Sequence, residues 1–369
     1  MEHQYLEDDY LYEDEDALSQ LRELRSEIDY SRKNSEVEKT LDLYYQYVRI
    51  DILKYSSRKA FIILPEYMEY YDAHPEYTKH KYYVMWAFKM ILQVLDGYSD
   101  LSPEDIKHYY DLYKSCCHKY GYSLRTYYQI LEFHLFAHPY FSSLFNISID
   151  EAHESAKKEP RDELCDPEAV EAYYDFTYHL DIKDDDVSAK EIIAPYLKKE
   201  NYYGSVPHQS YYYLAKYYWN KEKYSESIQY AKKALIMIDN DYPDYQCFFY
   251  IRSILFDIIS VRYKDKALRI FKKMLKCADQ CQSEGSAFTF FECSYRFFYR
   301  LEKSGIKTVH LRIPDNLKVD LSVRQNEYQT SELKQYFYDK AKAIAKKFDK
   351  QNNTNEFIDS LNEEPICRE

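Results

Sequence analysis

Few residues in this chain have types and spacings that could do chemistry. His134 and His138 stand four apart, so a helix would place both imidazoles on one face, as a zinc site on a single helix requires. A helical zinc protease also needs a glutamate directly after the first histidine as general base. Leu135 stands there instead, Pro139 follows the second histidine, and the sequence offers no third ligand. The pair therefore reads as structural or capping histidines. Cys277 and Cys281 are also four apart, and Cys116 and Cys117 adjoin His118. Neither group has the second half that paired zinc spacings show, so all four read as buried or incidental thiols. The run Asp184-Asp185-Asp186 lacks the alternating ligands and trailing glutamate of a calcium loop, and reads as a helix start. No Ser/His/Asp or Cys/His arrangement is legible. The expectation is a protein that is not an enzyme and uses no metal or other cofactor.

Composition narrows the class further. Only five glycines occur in 369 residues, and no two are close enough to form a phosphate-cradling loop or a dinucleotide fingerprint. The net charge is −13, of which residues 1–16 supply eight charges through Asp and Glu with no Lys or Arg. That stretch reads as an acidic, disordered tail. The acidic balance argues against a nucleic-acid partner, because phosphate contacts need a basic surface. The start is acidic where a signal peptide would be basic, and no apolar run is long enough to span a bilayer. Of the eight cysteines, Cys116, Cys117, Cys247, Cys277 and Cys293 sit inside helical patterns, which suits reduced thiols. Together these predict a cytoplasmic chain without a membrane partner, in which the Asn146-Ile147-Ser148 sequon is accidental.

The elements that would position any site are helices. Apolar residues recur at three- and four-residue spacing nearly throughout, predicting helices near 15–29, 36–54, 57–72, 76–96, 103–119, 122–137, 149–158, 166–181, 187–198, 208–220, 224–238, 244–262, 264–280, 285–303 and 330–349. Ser102-Pro103-Glu104-Asp105 is a helix start with Ser as cap and Pro at the first helical position. Pro195 falls late in its helix and should end or kink it. Only Lys307–Pro314 alternates as a strand would.

Helix pairs joined by short links call for a check of internal repeats. From His208 onward, Tyr211, Leu214, Ala215 and Tyr218 share one helix, and Tyr224, Ser227, Tyr230, Ala234 and Leu235 the next. This resembles the tetratricopeptide (TPR) repeat, in which small residues let paired helices approach closely. Ala215, Ser227 and Asp239 stand where Gly, Ala and Pro are usual. Ile254, Leu255 and Ile258, followed by Ala267, Phe271 and Leu275, form a second, longer unit. Fainter units fall at 41–74 and 173–198.

The expected fold is accordingly all-α: an α-solenoid of TPR-like helix-turn-helix hairpins. Residues 17–200 would form an N-terminal helical-hairpin region, residues 201–303 the TPR-like repeats, and residues 304–369 a link, capping helix and tail. The capping helix would bury Leu333, Phe337, Ala341, Ile344 and Phe348. The resemblance implies that the first helix of each unit lines a concave groove. It places Gln209, Tyr212, Lys216 and Asn220 of the first unit and Arg252 and Phe256 of the second in a ligand or peptide site. It thus implies a protein- or peptide-binding scaffold or adaptor. The layout is also similar to bacterial peptide-pheromone receptors of the Rap type, which would make the chain a peptide-sensing regulator. A metal-dependent enzyme around His134 and His138 is a third expectation. The 45 tyrosines read mostly as inter-helix packing, and the cations of Lys264–Lys276 as the solvent face of an amphipathic helix.

Overall fold

The computed structural model describes residues 17–55, 58–138, 141–241, 248–281, 283–312 and 326–367, so the acidic stretch 1–16 lies outside the described residues. The fold is all-α. The described helices are α1 (Ala17–Lys33), α2 (Val37–Ile50), α3 (Arg58–Asp72), α4 (Lys79–Leu92), α5 (Pro103–Tyr120), α6 (Arg125–Ala137), α7 (Phe141–Phe145), α8 (Ile149–Lys158), α9 (Glu168–Thr177), α10 (Asp186–Ile193) and α11 (Val206–Asn220). They continue with α12 (Tyr224–Asp241), α13 (Phe249–Ser260), α14 (Lys264–Gln280), α15 (Glu284–Lys303), α16 (Thr330–Asn352) and α17 (Glu356–Asn362). Two short antiparallel strands, β1 (Thr308–His310) and β2 (Glu327–Gln329), pair Val309 with Tyr328. β1 falls inside the one segment whose alternation predicts a strand.

Local chemistry sets the helix ends. Ser102 accepts from the Asp105 amide while the Asp105 carboxylate returns to Ser102, a capping box that starts α5, and Gly121 ends it in the left-handed region. Asp51, at the end of α2, is fully buried and accepts a 2.6 Å hydrogen bond from the Ala60 amide, so one carboxylate ties the end of α2 to the start of α3. Pro195 acts as the sequence predicts: α10 stops at Ile193 and a 3₁₀ turn follows. Asp185 caps α10 through Ser188, while Asp184 and Asp186 pair with Lys221 and Lys190, so the acidic run is a helix start.

Most helices pack on neighbours in the chain: α1 on α2, α2 on α3, α3 on α4, α11 on α12, α12 on α13, α13 on α14 and α15, and α15 on α16. The core divides accordingly into three large apolar clusters, the first between Leu21 and Leu164, the second between Ala169 and Ile259, the third between Phe249 and Phe337. Ala215 and Ser227 are fully buried where α11 and α12 approach, and the Ser227 hydroxyl donates to the Ala215 carbonyl at 2.7 Å. The 3₁₀ turn Leu95–Gly97 reaches far along the chain to pack against α15.

Candidate functional site

The helices surround a cleft of about 1740 Å³. Each wall is a single stripe at helical spacing: Tyr82, Trp86, Lys89 and Gln93 from α4 and the residue that follows it; Phe133, Phe136 and Ala137 from α6; Gln209, Tyr212, Lys216 and Asn220 from α11; Ile251, Ile254 and Ile258 from α13; Thr289, Glu292 and Arg296 from α15. α17 closes one end with Phe357 and Ser360. Both tryptophans of the chain, Trp86 and Trp219, lie on these walls.

All four positions assigned to the groove in the first unit line this cleft. Asn220 is exposed, Gln209 and Lys216 are half-buried, and Tyr212 is buried. The two positions assigned in the second unit do not. Arg252 and Phe256 are 5% and 0% exposed, and the wall there belongs to Ile251 and Ile254 instead. The correction is one of register. α13 is apolar on nearly every side, so its sequence gives no polar row from which to count. Arg252 points toward α12, where its guanidinium lies 3.9 Å from Asp239.

Polar groups punctuate the aromatic walls. The Lys216 ammonium lies 5.4 Å from the Phe136 ring centroid and 6.0 Å from that of Tyr213, within cation–π range. Burial lifts the nearby Asp181 carboxyl to about 6, against the pull of Lys216. Lys89 is buried and donates to Asp166 at 2.6 Å. Sequence reasoning missed Asp96 altogether. Its carboxylate lies 3.0 Å from His138 Nε2 and 3.7 Å from His134 Nε2, and His134 Nδ1 is 2.5 Å from the Tyr110 hydroxyl. Burial would raise the Asp96 carboxyl, but the two imidazoles outweigh it and hold the group at about 2. Burial lowers His134.

The histidine pair thus flanks a carboxylate. Among the described residues, no three His, Cys, Asp or Glu side chains converge in a way that could hold a metal ion. Cys116 and Cys117 are buried, Cys277 and Cys281 half-buried, and burial pushes the Cys281 thiol up to about 12. No described helix is long and apolar enough to cross a membrane. No model of a known protein family, no curated protein and no solved structure matches the chain.

Proposed function

We propose that this chain is a TPR-like α-solenoid that holds an extended protein or peptide segment in its cleft, acting as a binding scaffold rather than an enzyme. The observation that carries this reading is the set of one-sided stripes that α4, α6, α11, α13 and α15 turn toward a common space. A cleft of about 1740 Å³ exceeds the roughly 300–1,000 Å³ of small-molecule sites, and so suits a polymer segment. Its walls combine large aromatic faces with single polar groups, the composition that gives contact area at low entropic cost and fixes direction through a few hydrogen bonds. The meeting of Ala215 with Ser227 supports the repeat resemblance, because those are its two small positions.

The test is retention of members of a randomised peptide library, followed by titration of retained sequences against the intrinsic fluorescence of Trp86 and Trp219. Retained peptides should shift the emission, and Lys216→Glu should weaken them by about tenfold, the scale of one charge-assisted contact. A chain that retains no peptide, or that retains peptides without any change in tryptophan emission and with no response to Lys216→Glu, sinks the reading.

A further inference from the structure

The Arg125–Glu132 part of α6 does not face the cleft. With α8, α9 and α10 it lines a second cavity of about 270 Å³, which shares no residue with the first. That volume is just under the roughly 300–1,000 Å³ of small-molecule sites. Gln129 and Glu132 of α6 stand one turn apart on its wall, as do His153 and Lys157 of α8 and Glu171 and Asp175 of α9. Gln129 is 5% exposed, and its amide has a fixed orientation: Nε2 donates to Glu171 at 3.2 Å, which turns Oε1 the other way. That oxygen is buried without a hydrogen-bond partner. Among the described residues, no other buried side-chain oxygen or nitrogen lining this cavity or the cleft is left so. A buried acceptor without a donor is costly, so Gln129 Oε1 marks a place for a donor that the chain does not supply.

The donors on these walls are turned to protein acceptors. Arg125 gives Nε and Nη2 to Glu171 at 2.7 and 3.2 Å, and Nη1 to the Ala156 and Glu159 carbonyls. Lys157 lies 3.3 Å from Asp175. His153 lies flat on the Tyr178 ring, centroids 3.6 Å apart, with Nδ1 3.0 Å from Glu132, so the Glu132 carboxyl is held in place. Burial pushes that carboxyl above the usual range, outweighing the pull of His153, and Asp175 adds to the push. With Glu168, the walls carry four carboxylates against two fixed cations, Arg125 and Lys157. The space is short of donors and of positive charge. A metal ion does not meet that need, since among the described residues no three His, Cys, Asp or Glu side chains converge to hold one. A guanidinium needs a carboxylate to receive its flat fork, and Glu171 already receives that of Arg125. What remain are single acceptors on different helices, which suit the three diverging donors of an ammonium. Ala156, Ala172 and Ile192 give apolar surface for a short alkyl stem.

We infer that this cavity binds a small aliphatic amine as its ammonium ion, held by Gln129, Glu132 and Asp175. The inference does not rest on the peptide reading of the cleft. It is tested on the full chain by calorimetric titration with n-butylamine and with putrescine, at neutral pH and constant ionic strength. Saturable binding of one equivalent is expected. Neither n-butanol, which lacks the charge, nor tetramethylammonium, which lacks the donors, should displace the amine. Gln129→Leu removes the free acceptor and should weaken binding about tenfold, the scale of one hydrogen bond to a charged group. It costs Glu171 one donor of several, and unchanged circular dichroism checks the fold. Ala172→Leu fills the cavity without altering a polar group and should abolish binding, which keeps the test open if Gln129→Leu does not fold. The absence of saturable binding means that water alone fills the cavity, and overturns the inference. Binding that survives both variants, or that tetramethylammonium displaces, also overturns it, in favour of carboxylates elsewhere or of an aromatic cation site. A change in Trp86 and Trp219 emission that persists in both variants would put the amine in the cleft and overturns it likewise.

Discussion

Asp96 is a carboxylate that its surroundings penalise by burial and stabilise with two imidazoles, and the second influence wins. Its folded value of about 2 lies below the ordinary 3.8, so its contribution is fully present above about pH 4 and is lost as pH falls toward 2. A shift of that size corresponds to about 2 kcal/mol. Asp96→Asn should therefore lower the free energy of unfolding by about 2 kcal/mol at pH 6, and urea denaturation should show the gap from wild type closing between pH 4 and pH 2. A gap that persists at pH 2 would mean that Asp96 acts by packing alone. The sequence shows only the histidine half of this group. Asp96 lies roughly 40 residues upstream in a Leu-Asp-Gly turn with no periodic signal, and only the fold brings it to His134 and His138. Lys216 was reached by another route: the TPR resemblance supplied a register for α11, and the position it names does line the cleft.

At the scale of elements, helices of eight residues or more were legible and the shortest were not. α14 begins and ends where its apolar period does, at Lys264 and Gln280. α7 and α17 have five and seven residues, too few for an apolar position to recur and declare a face. The start of α17 is also not written in its own residues. Asn355 makes no side-chain cap; the Asp349 carboxylate, from the last turns of α16, accepts from the Phe357 and Ile358 amides at 3.0 and 2.9 Å. The chain between them turns through Asn353 at φ 54°. Asp349 thus does for α17 what an N-cap does for an ordinary helix. Asp349→Ala should cost about 1–2 kcal/mol locally, read as faster hydrogen exchange in the α17 amides while α13 and α14 are unchanged. Unaltered exchange in α17 would show that Leu361 and the Phe357–Phe348 stack, with centroids 4.7 Å apart, suffice to hold it.

For the whole molecule, the order of helices follows from periodicity, but the path that encloses the cleft does not. That path depends on two glycines separated by just over half the chain. A β-carbon on Gly285 would stand 3.3 Å from the Gly97 Cα, and one on Gly97 would stand 2.9 Å from the Ser283 hydroxyl. The close approach is fastened beside it. Glu284 accepts from the Ser99 amide at 3.1 Å and from Lys347 at 2.6 Å, and these partners outweigh burial to hold its carboxyl below the usual range. In the sequence the same residues are isolated glycines that look like ordinary helix and turn positions. An alanine in an open helix normally stabilises it over glycine, by about 1 kcal/mol. Here the added carbon meets the Gly97 backbone, which cannot rotate away as a side chain can, so a β-carbon at Gly285 requires the turn to shift by a few tenths of an ångström. Gly285→Val should cost about 1–3 kcal/mol as overpacking. Because the strain falls where the two halves of the chain meet, relief comes from separating Leu95–Gly97 from α15. Small-angle scattering should then show a larger radius of gyration for Gly285→Val with helix content unchanged by circular dichroism. A variant as compact and as stable as wild type would mean that the neighbours absorb the side chain, and that the cleft's width is set by the helix stacks alone.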